Sequence, residues 1–168
     1  MRGPAPLAGP ICESPDKSKD KPFHTGQAVA KRLVMDAPTP LMASAHVALG
    51  GGIGALLRYQ TGRLLTHVLG TQIVGAFPWA TLAINVSGSM AMGLLAGWLA
   101  RHGQGGEQWR LLLGVGLLGG FTTFSSFSLE LMLLIERGQA GQAVAYAAIS
   151  VLAGLAALYA GLIVMRLA

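Results

Sequence analysis

The chain has 168 residues, of which 52% are apolar and only 11% charged, where an ordinary soluble domain carries about 25% charged residues. With its positive mean hydropathy, this composition excludes an average soluble globule and makes a lipid bilayer the solvent to reason about. The net charge of +5 is no nucleic-acid footprint, because six of the twelve Lys and Arg lie in the first 32 residues and no basic face remains to hold phosphates.

Residues 1–42 are rich in Pro, Lys and Asp ("SPDKSKDKPFHTG") and contain no apolar run long enough to span. They show neither the apolar core nor the small-residue cleavage site of a signal peptide, and read as a disordered N-terminal tail. Met35 and Met42 are alternative starts that the sequence permits. The single cysteine, Cys12, lies in this tail, so no disulfide within the chain is possible.

Residues 43–168 read as a four-helix transmembrane domain, each span matched to a ~30 Å hydrocarbon layer at ~1.5 Å rise per residue. The first candidate, Ser44 to Leu69, is interrupted by Arg58 and Arg63. The second, Trp79 to Ala100, carries no formal charge, and the third runs from Trp109 to Ile135. The fourth, Gly141 to Met165, is uncharged and ends at Arg166. The connections "GTQIVGAFP", "RHGQGGEQ" and "ERGQAG" read as plain turns. Of the 24 glycines, 21 fall in this region, and Gly50/Gly54, Gly93/Gly97 and Gly116/Gly120 have the four-residue spacing that lets helix backbones approach closely. Together they imply a tightly packed bundle.

Polarity inside the spans is the functional signal. In "GGFTTFSSFSLE", Gly119 to Glu130, a glycine doublet followed by the β-branched pair Thr122-Thr123 is a poor helix interior. The third helix is expected to break there and free carbonyls such as those of Gly119 and Thr122 as cation ligands; the alternative is a kink capped by threonine hydroxyls. After it, Phe124 and Phe127 share one face, while Thr123, Ser126 and Glu130 form another stripe. The two rings are either packing residues or, in polar company, ring edges able to meet an anion without adding formal charge. Glu130 is an intramembrane carboxylate and a functional candidate by default, with Ser126 its expected partner. Asn85 in the second span offers an amide with two donors, and Tyr146 and Ser150 offer hydroxyls one turn apart in the fourth. Arg58 either snorkels to the interface or takes part in the chemistry. His46, His67 and His102 are scattered near helix ends, without metal or catalytic spacing, so no enzyme site is read.

The blocks "GGGIGALLRY", "TLAINVSGSMAMGLL" and "GLLGGFTTFSSFSLE" resemble, in order and spacing, the signature blocks of the Fluc/CrcB family of bacterial fluoride channels. The resemblance covers nearly all of 43–168, and the third block is its most specific part. It implies an all-α membrane protein whose four-helix subunits pair as an antiparallel, dual-topology homodimer in the bacterial inner membrane. It also implies two fluoride pores, and a sodium ion at the dimer centre held by backbone carbonyls, here those of Gly119 and Thr122. Phe124 and Phe127 match the family's ring-edge ligands, Asn85 its second-helix polar residue, Tyr146 and Ser150 its fourth-helix pore liners, and Glu130 its central acid. Thr123 and Ser126 add hydroxyls beside them. The 42-residue tail departs from the family's usual length.

The implied activity is passive fluoride export, in which close hydrogen-bond donors replace the water of a small, strongly hydrated anion and bind it weakly enough to release it. Fluoride that entered as HF and ionised in the cytoplasm would leave by this route. Two readings from other classes compete: a proton-coupled small drug exporter using Glu130, and a non-conducting assembly protein held by its glycine pairs.

Overall fold

The computed structural model describes residues 38–101 and 106–168. Residues 1–37 of the expected tail, and residues 102–105 of the second connection, lie outside the described residues. The described residues are mostly helical and include no strand, and four segments are long and apolar enough to cross a bilayer.

Helix α1 spans Pro40–Leu69. Thr39 Oγ1 accepts from Met42 N at 3.4 Å, and Pro40 occupies the first turn, where its missing N–H costs nothing. This cap draws Pro40, Leu41 and Met42 into the helix, three residues that composition alone left with the tail. At the other end the Gly70 N–H closes on Thr66 O at 3.0 Å, with φ +85° at Gly70. The connection that follows is not a plain turn: Thr71–Ala76 form a short helix, α2, too brief for hydrophobic periodicity to register. Helix α3 then covers Trp79–Arg101.

The third span, Gly106–Glu136, is composite. It opens with α4 (Gly106–Trp109), widens into a π-helix over Arg110–Leu118, and tightens again as α5 (Gly119–Phe121). Thr122 (φ −77°, ψ 158°) and Thr123 (φ −149°, ψ 119°) are extended, and α6 starts at Phe124 and runs to Glu136. It ends in a Schellman turn: Gly138 N donates to Ile135 O and Gln139 N to Leu134 O, both at 2.9 Å, with Gly138 at φ +75°. Helix α7 spans Ala140–Leu167.

The π-helix and α5 lie along α1, and α3 lies along α7. Lipid tails are as apolar as leucine, so these pairs are held by close van der Waals packing, which small residues permit. A Cβ on Gly50, Gly54 or Gly93 would overlap the carbonyl oxygen of Leu112, Leu117 or Leu158 respectively. One on Gly116 would stand 2.9 Å from Gly50 Cα, one on Gly120 2.5 Å from Gly51 O, and one on Gly97 2.5 Å from Met165 Cβ. All three glycine pairs read from spacing therefore sit where helices touch. Gly161, outside any such pair, does the same against Met90 O. The outer surface is apolar, with Leu49, Leu56, Val144, Leu152 and Leu155 among many exposed large side chains.

Candidate functional site

The centre of the site is an exchange of backbone bonds at Thr123. In a continuous helix its N–H would bond to Gly119 O; instead it donates to Asn85 Oδ1 at 2.9 Å, while Asn85 Nδ2 donates to Thr123 O at 3.1 Å. One amide on α3 thus satisfies both main-chain groups of a buried, extended residue, as an interior shielded from water requires. Thr123 Oγ1 then caps α6, accepting from Ser126 N at 3.3 Å and donating to Ser126 Oγ at 3.2 Å. Ser126 N is the helical donor to Thr122 O. Both the Gly119 and Thr122 carbonyls therefore lose their usual partners.

Glu130 does not pair with Ser126, the partner that helical spacing suggests. Ser126 is engaged with Thr123, and the carboxylate of Glu130 accepts from Thr81 Oγ1 and from Tyr146 Oη, each at 2.7 Å. Neutral hydroxyl donors from α3 and α7 meet an intramembrane acid, which is how such a group is made tolerable without a counter-ion. Tyr146 is fully buried, with Phe127 at 5.1 Å between ring centroids on one side and Phe77 edge-on at 5.4 Å on the other. Its hydroxyl thus serves Glu130.

Two grooves meet at this centre. The first, about 340 Å³, brings together Asn85, Thr122, Thr123, Phe124, Phe127 and Ser150. Phe124 is 79% exposed, and its ring lies 5.8 Å from that of Phe127 at 40°. Ser150 Oγ is buried and has no hydrogen-bond partner among the described residues. The second groove, about 750 Å³, is lined by Thr123, Ser126, Glu130 and Thr81, with Arg58, Arg63 and His67 also along its wall. Only Thr123, among the site residues, lines both. Tyr146 and Gly119 line neither; Gly119 is exposed on the outside of the single chain.

Sequence reasoning passed over Thr81. A signal was present: Thr81, Asn85 and Ser89 recur every four residues in α3 and so share a face, and Ser89 lines the first groove. The π-helix had no comparable signal.

A multi-pass helical membrane protein whose midsection gathers an amide, hydroxyls, ring edges and one hydrogen-bonded carboxylate belongs to the class that handles small polar solutes or ions within the bilayer. The chain belongs to the CrcB family: the family model described as "CrcB-like protein, Camphor Resistance (CrcB)" matches residues 45–162. It is 61% identical over 126 residues to a fluoride-specific ion channel FluC of Novosphingobium aromaticivorans, covering 75% of this chain and 98% of that protein. It is 54% identical over 134 residues to the FluC of Erythrobacter litoralis, covering 79% and 98%. To the FluC of Rhodospirillum centenum it is 55% identical over 122 residues, covering 73% and 94%.

Proposed function

We propose that the chain is a fluoride-selective channel that lets cytoplasmic fluoride leave passively across a bacterial inner membrane. The observation that carries this reading is the buried hydroxyl of Ser150, which lines the first groove with Asn85, Phe124 and Phe127 and has no hydrogen-bond partner among the described residues. A buried hydroxyl left unpaired is costly, and an anion in the groove would accept a hydrogen bond from it. Asn85 uses one amide proton on Thr123 O and has a second to offer. The phenyl rings present positive edges. Fluoride, small and strongly hydrated, exchanges its water for these close donors; chloride, larger and a weaker acceptor, gains less. None of the donors is a full positive charge, so the ion is released again. Thr123 and Ser126 extend the path as hydroxyls into the second groove. Glu130 on that groove's wall is held by Thr81 and, from outside the groove, by Tyr146.

The homodimer and its sodium ion belong to this proposal. The diverted donors of Gly119 and Thr122 leave two carbonyl oxygens per chain without their helical partners, and carbonyl oxygens are the ligands a hard cation takes. The exposed position of Gly119 suits a site shared with a second, antiparallel copy, which would bring the same pair. When bound, the ion would supply positive charge that ties the two extended segments together. The non-helical interruption of the third span is, on this account, the feature that makes both the cation site and the path.

Ser150→Ala tests the reading. Removing an unpaired buried hydroxyl should leave thermal stability unchanged or higher, while fluoride efflux from protein-loaded vesicles falls about tenfold. Wild-type efflux in this variant would mean that the first groove is not the path.

A further inference from the structure

At one end of the bundle Leu94, Leu95, Trp98, Trp109, Leu113 and Met165 line an almost wholly apolar groove of about 410 Å³. Its walls come from three spans, at the end of α3, the start of the third span and the end of α7. Trp98 and Trp109 meet edge to face, with ring centroids 6.4 Å apart at 88°. Such rings sit where hydrocarbon gives way to headgroups. Three arginines share this end: Arg101, Arg110 and Arg166. Arg110 is tied to Glu107 through Nε at 2.8 Å and Nη2 at 2.7 Å, and Glu107 is the only acidic side chain there among the described residues. Arg101 Nη2 donates to the Arg166 carbonyl at 2.7 Å, answering the negative end of α7 and holding the two exposed arginines side by side.

We propose that this groove binds an anionic phospholipid, with an acyl chain against the two tryptophans and its phosphate beside Arg101 and Arg166. A lipid tail gains little by leaving one apolar surface for another, so the groove fixes where the lipid sits and the arginines fix which lipid it is. Each arginine near a lipid headgroup contributes about a fivefold preference for the anionic form.

Quenching by brominated lipids tests this directly, because bromine quenches an indole only at contact. The full chain carrying Trp79→Phe, whose remaining tryptophans are Trp98 and Trp109, is reconstituted in vesicles that mix phosphatidylcholine with phosphatidylglycerol, one of the two brominated. With two arginines at about fivefold each, brominated phosphatidylglycerol should quench at about 25-fold lower mole fraction than brominated phosphatidylcholine. Arg166→Gln, which keeps the carbonyl that Arg101 caps, should lower that preference about fivefold with fluoride efflux unaltered. Equal quenching by both lipids, or a preference that survives Arg166→Gln, overturns the proposal. Absence of quenching by either also overturns it and makes the occupant a second copy of the chain.

Discussion

Phe124 and Phe127 present the same chemical group in two settings. Phe127 packs on Tyr146 inside the bundle, whereas Phe124 stands largely free at the groove. If their edges meet the anion, Phe124→Ile and Phe127→Ile should each fold and lose most fluoride efflux, since isoleucine keeps apolar bulk and has no positive edge. Phe127→Ile should in addition cost about 1 kcal/mol for the lost aromatic pair. Efflux near the wild-type level in both variants would return the rings to packing. At this scale residue type was legible and partnership was not. The helical period placed Thr123, Ser126 and Glu130 on one stripe, and all three line one groove. The same period suggested Ser126 for Glu130, yet the acid bonds to Thr81, 49 residues earlier in the chain, and to Tyr146, 16 residues later. No local spacing encodes a contact between spans.

Glycine spacing was the informative pattern among elements, because a backbone that must touch another backbone leaves a mark in composition. Gly50→Ala and Gly93→Ala should push α1 off the π-helix and α3 off α7, since in each the new methyl would collide with a carbonyl that has nowhere to go. The expected outcome is a loss of more than about 3 kcal/mol, read as aggregation or a collapsed melting transition in detergent. Gly141→Ala, with nothing within 4 Å of the added carbon, should be neutral or gain up to about 1 kcal/mol of helix propensity; equal effects at all three positions would refute the packing account. Shorter elements were less legible. The six residues of α2 are too few for a period, and the cap at Thr39 moved the start of α1 because a single side chain decides it. The π-helix contains Gly114 and Gly116 and packs on Gly50 and Gly54. Its sequence carries no periodic signature that separates a π-turn from an α-turn, so the wider turn was not legible.

No half of this chain repeats the other, so a symmetric path across the membrane would need a second, inverted copy. Orientation is set largely by Lys and Arg near span ends. Arg101 and Arg166 stand together, and Arg110 begins the same end. The opposite end holds Arg63 and Arg137, the latter bonded to Gly75 O at 3.2 Å, with Arg58 deeper. That near balance predicts insertion both ways for a chain starting at Met42. C-terminal reporters active only inside or only outside the cytoplasm should then both score, and signal from one side alone would exclude a dual-topology dimer. The six basic residues of the first 32 should tilt the full chain toward a cytoplasmic N-terminus. The central claim, that the molecule conducts fluoride, is tested most directly by ion release from vesicles loaded with equal fluoride and chloride and containing the purified full chain. Adding a potassium ionophore to dissipate the charge should trigger rapid fluoride efflux while chloride stays inside. Release of both anions alike, or of neither while a dye is exported in response to a proton gradient, would contradict the account.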